Sequence, residues 1–333
     1  MTTADPSGRP VRVPHRLATL VTTLGLPLAV ATTGAVLALS WRDTLPDPIA
    51  THWGTDGADG VGSLTATVGL VVGVVLPFSA GMAALGLWWG RAALTRRLAG
   101  AAAVWFAVVQ TGVLLGSLAG QRGLTDAYAA PDIGGAIGLA VAIATVAAVA
   151  VAWLTPGDPT LLATTPIPAS APRLPVAANE RATWVRRTGQ VHAATILASV
   201  AVFALTFGAL TQMWWLVLGV VAVLTVILFG ALRWTVTVDS RGLTVRSALG
   251  PRVRVPLAEV EGATTTQVAP LRQFGGWGLR VGAHGATGIV TRKGEALEVA
   301  RSGSRRVVVT VDDAATAAAL LNALAERSRS TRT

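Results

Sequence analysis

Six long apolar runs constrain this chain more than any other feature. They occupy residues 17–39, 66–90, 98–119, 133–154, 191–210 and 213–232. Each has about the 20 residues an α-helix needs to cross a hydrocarbon core of about 30 Å. No water reaches the backbone inside lipid, so a run of this length must satisfy its own hydrogen bonds, which a helix does. The pattern predicts six membrane spans. Only 13% of the residues are charged and 52% are hydrophobic, unlike an ordinary soluble domain. There is no cysteine, which excludes disulfides, thiolate metal sites and cysteine nucleophiles.

The short loops give the orientation. Arg9, Arg12 and Arg16 precede the first run, Arg91, Arg96 and Arg97 lie between the second and third, and Arg173, Arg181, Arg186 and Arg187 lie between the fourth and fifth. The alternate loops hold only Arg42 and Arg122. Basic residues stay on the cytoplasmic side, so this bias predicts both termini in the cytoplasm of a multi-pass protein of a bacterial plasma (inner) membrane. The first run, after a basic start, is longer than a signal-peptide core and is expected to remain as a span. All but one of the 27 basic residues are Arg, and Ala and Gly abound, the coding bias of a high-GC, actinobacterial genome.

After residue 232 the pattern changes from helix to strand. Short alternating segments are predicted at 234–238, 243–246, 252–255, 263–268, 278–281, 288–291, 296–300 and 306–311, with turns at 239–242 and 249–251. Asp312 or Asp313 is placed to cap a final helix over 314–327. Ala317, Leu320, Leu321 and Leu324 form its apolar face. The expected organisation is a tail at 1–16, a four-span unit at 17–154 whose outer loop is 40–65, a Pro-rich cytoplasmic linker at 155–190, a two-span hairpin at 191–232, a small antiparallel β domain at 233–328 closed by one α-helix, and a tail at 329–333. In strand order and closing helix the β domain resembles the pleckstrin-homology-like fold.

From Arg233 onward the chain has 15 basic and eight acidic residues. Contact with anionic membrane lipids is one reading of that surplus, with Arg233, Arg241, Arg246, Arg252 and Arg254 as candidates. Solvated charge under the positive-inside bias is the other, and a cytoplasmic protein partner is a third use of the surface. The basic residues are dispersed, with no recognition helix or stacking-aromatic motif, so nucleic acid is not expected.

The loop after the first run holds the one distinctive motif. Its elements are Leu45, Pro46, Asp47, Ile49, His52, Trp53, Gly57 and Gly60, in that order. Pro46 and Pro48 restrict the backbone and Gly57 and Gly60 permit tight turns, so a structured cap is expected. Asp43, Asp47, Asp56 and Asp59 against Arg42 leave it acidic, and His52 among them could join a divalent-cation site. Packing and backbone capping are the simpler roles, and no metal site is assigned. This motif resembles that of the domain-of-unknown-function 1648 family of bacterial membrane proteins, related to the sporulation-delay immunity protein. The resemblance implies an integral membrane protein, and among some relatives immunity or signalling. The linker, the extra hairpin and the β domain depart from those relatives.

Inside the runs there are essentially no ionisable groups, which disfavours ion-coupled transport. Gln110 is expected to hydrogen-bond between helices. Small-residue pairs at 69/73, 86/90, 112/116, 116/120 and 134/138 can bring helices close. Trp41, Trp53, Trp88, Trp89, Trp153, Trp214 and Trp215 lie at span ends, an aromatic belt. Pro27 and Pro77 are positioned to kink their helices. No phosphate loop, metalloprotease histidine pair or Gly-x-Ser-x-Gly motif occurs, and the one lysine, Lys293, falls in a turn. The sequence therefore predicts a protein without catalysis or cofactor: a sensor, immunity or assembly factor whose outer loop meets a peptide or envelope component. A transporter for a small or apolar solute is the alternative.

Overall fold

The computed structural model describes residues 13–177, 180–188, 198–202, 204–206, 221, 233–247, 252–282 and 285–331. The chain divides into two compact units, Arg12–Pro159 and one that includes Thr160–Thr333.

The first unit has four helices long and apolar enough to cross a membrane: α1 (Arg16–Ser40), α2 (Leu64–Trp89), α3 (Ala93–Gln121) and α4 (Gly134–Leu154). They coincide with the first four apolar runs. A π-turn at Val21–Gly25 interrupts α1 just before Pro27. Proline presses on the carbonyl four residues back, and the wider turn makes room for it. Pro77 lies inside α2.

Small side chains make the contacts. Ala31, Ala38, Ala99, Ala103, Ala107, Ala140 and Ala144 are buried, whereas Leu17, Leu70, Leu139, Val146, Val149 and Leu154 point outward. A Cβ on Gly112 or Gly116 of α3 would stand 2.8 or 2.6 Å from the Cβ of Ala140 or Ala136 on α4, and one on Gly120 would stand 2.9 Å from Pro131. These glycines therefore set the α3–α4 approach. Gly69, Gly73 and Gly138 face open space. The hydrogen bond expected at Gln110 is not formed among the described residues.

α3 begins before the third apolar run because Arg96 and Arg97 are helical. The Arg96 side chain is fully buried and donates to the carbonyls of Gly90 (2.5 Å), Pro156 (3.2 Å) and Gly157 (3.1 Å). Asp158 lies 3.8 Å from Arg96 and accepts the N–H of Ala93, capping α3 from a distant segment.

The second unit has nine strands among its described residues: β3 (Trp184–Thr188), β4 (Trp234–Asp239), β5 (Gly242–Ser247), β6 (Arg252–Pro256), β7 (Val260–Val268), β8 (Gly278–Val281), β9 (Thr287–Val290), β10 (Gly294–Arg301) and β11 (Arg305–Thr310). A short helix, α5 (Pro270–Phe274), follows β7, and α6 (Ala314–Ser330) ends the unit. One sheet runs β3-β4-β5-β6 and the other β7-β10-β11-β9-β8. Period-two alternation explains the strands: Trp234, Val236 and Val238 are buried while Thr235 and Thr237 face away. Both sheets and α6 share one core, to which Val245, Leu297, Val309, Leu320, Leu321 and Leu324 belong.

Three expectations change. The segment 155–190 is more than a linker. Trp184–Thr188 pairs with Trp234–Asp239, and Ile167 and Leu174 join the core. The proline-rich stretch is held along the unit by Arg329 to the Thr165 carbonyl, Asn322 to the Pro172 carbonyl, Leu174 N–H to the Ala319 carbonyl, and the Arg173–Glu326 ion pair. Its prolines lack N–H groups, so side chains of α6 satisfy its carbonyls and its Leu174 N–H donates to α6, in place of a ladder. Second, the sheets are not wholly antiparallel. β9 and β10 both flank β11, and the chain reverses between them, so β9 must run parallel to β11. Third, Asp313 occupies the N-cap of α6 but in a left-handed conformation (φ 61°), and its carboxylate makes no backbone capping bond. It accepts instead from Trp184 Nε1 (3.1 Å), Arg186 and Thr316.

Of the fifth and sixth apolar runs only residues 198–202, 204–206 and 221 are described, all helical. The remainder, with His192, Trp214, Trp215 and the turn at 249–251, lies outside the described residues.

Candidate functional site

The motif between α1 and α2 folds into a two-stranded hairpin, β1 (Ile49–Gly54) and β2 (Gly57–Gly62). Thr55 and Asp56 turn the chain, and Gly57 takes φ 117°, open to glycine and strained for other residues. Each motif position has a physical role. Leu45 and Ile49 pack with Leu64, Val68, Leu114 and Leu118 at the helix ends. Pro46 is buried, and Asp47 is exposed beside the cis peptide to Pro48. Gly60 is the register partner of His52, and a Cβ there would meet the His52 Cβ at 2.9 Å. Trp53 packs near Ala127 and Ala130 and donates from Nε1 to the Pro131 carbonyl (3.0 Å). That bond ties the hairpin to the segment just before α4.

Gln121, two residues beyond the third apolar run and not singled out from the sequence, clamps the hairpin. Fully buried, its Oε1 accepts the Ala50 N–H (2.7 Å), and its Nε2 donates to the Ala50 and Ser117 carbonyls (3.1 and 3.2 Å). An uncharged glutamine just past the end of an apolar run, next to a glycine, is the signal that could have found it. The Gly123 N–H bonds the Thr44 carbonyl, and the Arg122 guanidinium lies 5.0 Å from the Trp41 ring centre. On the outward side His52 Nδ1 meets Asp59 Oδ1 at 2.5 Å, with both side chains largely exposed. Among the described residues no three His, Asp or Glu converge on one point. The hairpin thus presents a fixed, polar, exposed pair on a clamped backbone.

The second candidate is the outer face of the β3–β6 sheet. The register aligns Arg187, Thr235, Arg246 and Arg252 in one row across four strands, and Val185, Thr237, Thr244 and Arg254 in the next. Arg187, Arg233, Arg241, Arg246 and Arg252 line a cleft of about 790 Å³. Four of the five arginines named from sequence line it, and Arg254 shares its sheet face. Arg187 was missed because its segment read as linker. Among the described residues lining the cleft Asp239 is the one carboxylate, and it accepts the Arg241 N–H within its own turn. Desolvation, then the fields of Arg254, Arg246 and Arg241, lower the Arg252 pKa.

Beneath the surface, Glu259 pairs with Arg301 (2.6 Å) and Arg305 (3.2 Å), all three buried. Ser302 beside them donates to the Leu161 carbonyl, tying the proline-rich stretch to the sheets. Elsewhere, hydrogen bonds from Thr316 and Trp184 and the charge of Arg186 hold the Asp313 carboxyl below its usual range. The Arg173 hydrogen bond does the same for Glu326, and burial raises Glu261.

No family model, curated protein or solved structure matches the chain. The geometry of these two surfaces therefore carries the functional reading.

Proposed function

We propose that this chain is a non-catalytic protein of a bacterial inner membrane, with six spans and both termini in the cytoplasm, acting as a sensor, immunity or assembly factor. The clamped hairpin carries this reading. Gln121 satisfies both backbone groups of Ala50 at a helix end, so the His52–Asp59 pair is held outward with little entropy left to lose on binding. A peptide or envelope component is the partner proposed for it. Membership of the domain-of-unknown-function 1648 family rests on Leu45, Pro46, Ile49, His52, Trp53, Gly57 and Gly60, which lie in the hairpin or in the segment that leads into it. The pleckstrin-homology-like assignment rests on two sheets and a final helix that share one core. The β unit would then meet anionic lipid or a cytoplasmic protein through its arginine-bearing face.

The natural absence of cysteine provides the test. Thr51→Cys should react with a membrane-impermeant maleimide on intact cells, and Arg306→Cys only after permeabilisation. Labelling of Arg306→Cys in intact cells would overturn the orientation. A photoreactive residue at position 52 should give an adduct that is lost when Gln121→Ala releases the hairpin. An adduct indifferent to that substitution would remove the hairpin from the function.

A further inference from the structure

The strand register locates the arginine row relative to the last two apolar runs. Thr188, the final residue of β3, is the partner of Trp234, the first residue of β4. Residues 189–233 therefore leave and re-enter the sheet at neighbouring positions of one strand pair. A segment that begins and ends at one place crosses a membrane an even number of times, as two apolar runs of about 20 residues do. The exit is fixed: the buried Thr188 hydroxyl donates to the Thr310 carbonyl (2.7 Å) and meets the Thr291 hydroxyl, which bonds that of Thr310. The row Arg187, Thr235, Arg246, Arg252 stands one residue from this edge, about 3.3 Å along the strands.

The row has a second peculiarity. Arg246 and Arg252 are direct cross-strand partners with exposed side chains. Like charges in that arrangement destabilise a sheet unless an anion lies between them. Neighbouring strands are about 4.8 Å apart, a separation that lets two guanidinium groups share one phosphate, each with paired N–H donors.

We propose that this edge of the β3–β6 sheet is a phosphate site, built from Arg187, Arg246 and Arg252 with Arg233 and Arg241 at its margin, and that the phosphates it takes are those of anionic lipid headgroups. The proposal rests on reading 191–232 as a membrane hairpin. That reading has its own test: Thr211→Cys, between the two runs, should be labelled from outside intact cells, and its protection would refute the hairpin without touching the phosphate chemistry.

The site is tested with the purified full chain in detergent, by native mass spectrometry against short-chain phosphatidylglycerol, short-chain phosphatidylcholine and inorganic phosphate. The parent should retain phosphatidylglycerol in preference to phosphatidylcholine. At about fivefold per arginine, Arg187→Gln, Arg246→Gln and Arg252→Gln together should weaken it about a hundredfold. Arg272→Gln, Arg280→Gln and Lys293→Gln remove equal charge elsewhere on the unit and should leave the preference intact. If the first triple variant does not fold, Arg252→Gln alone should show the fivefold loss. Equal retention of both lipids, or equal loss in both triple variants, would overturn the site. Binding of inorganic phosphate with no lipid preference would overturn the lipid source and make the ligand a free phosphate.

Discussion

The two units of this chain pack by opposite rules. The helical unit buries chiefly small side chains, Ala31, Ala103, Ala107 and Ala144, with a few larger ones such as Val75 and Leu118, and turns Leu70, Leu139, Val146 and Leu154 outward. The β unit buries Trp234, Val236, Leu243, Leu297 and Leu321 and turns Thr235, Thr237, Arg246 and Arg252 away from that core. Lipid tails are as apolar as leucine, so helices in a bilayer gain nothing by hiding large side chains and associate through close backbone approach. In water the burial of apolar area dominates, and the largest side chains go inside. One chain therefore carries two inverse hydrophobic patterns, and the difference shows which solvent each part is built for.

That contrast predicts opposite sensitivities, and the largest effect should lie in the β unit. Glu259→Gln leaves Arg301 and Arg305 without their shared carboxylate, and loss of one partner of a buried ion cluster costs about 3–5 kcal/mol. Leu321→Ala should cost about 2–5 kcal/mol through loss of buried area and the cavity left behind. Thermal melts of the full chain, with hydrogen exchange to localise the change, would show both in the β strands. A melt unaltered by Glu259→Gln would mean that water replaces the carboxylate.

On the outward faces of the helical unit truncation should do little, and at its glycine contacts enlargement should do harm. Leu139→Ala and Val146→Ala change outward side chains and should stay within about 0.5 kcal/mol of the parent. Gly116→Leu places a side chain where even a Cβ stands 2.6 Å from Ala136 and should cost about 1–3 kcal/mol. If Leu139→Ala proved worse than Gly116→Leu, the inverse-packing comparison would fail.

Gln121→Ala tests polar burial in the helical unit, which Arg96 also shows at the other end of α3. The buried N–H and carbonyl of Ala50 lose their partner at about 1–3 kcal/mol, and exchange should rise in residues 49–62 ahead of the helices. Trp53→Ala should cost less than removal of a fully buried ring, because Trp53 is only half-buried.

The smallest effect is one of pH. The Asp313 carboxyl is held below its ordinary value of 3.8 by Thr316, Trp184 and Arg186, so its contribution is complete above that value and is lost as pH falls through the lowered one. Asp313 is more than a third exposed, so solvent screens the contribution. Acid titration should release Trp184 and the start of α6 in the parent and be flatter in Asp313→Asn. Identical acid profiles would show that this carboxylate does not hold the helix start.

Patterns of period 3.6 and period 2 were legible because the chain declares them locally. The first four apolar runs became α1–α4, every predicted strand formed within a few residues of its expected place, and Ala317, Leu320, Leu321 and Leu324 are buried on α6. The hairpin motif was legible as a structured element because prolines and glycines restrict the backbone wherever they occur. Its order of residues did not reveal that Gly60 opposes His52 or that Gln121, some 70 residues on, holds Ala50. Partners that distant in sequence leave no periodic trace, and neither does a five-residue strand cut off from its neighbour by two apolar runs. Tertiary structure alone decided that Trp184–Thr188 completes the first sheet, that the proline-rich stretch is bound along α6, and that Arg187 joins Arg246 and Arg252 in one row. Local physics sets which segments are helix, strand or turn. Which of them meet is set by the one packing in which every buried donor and apolar face finds its counterpart, and that is a property of the whole fold.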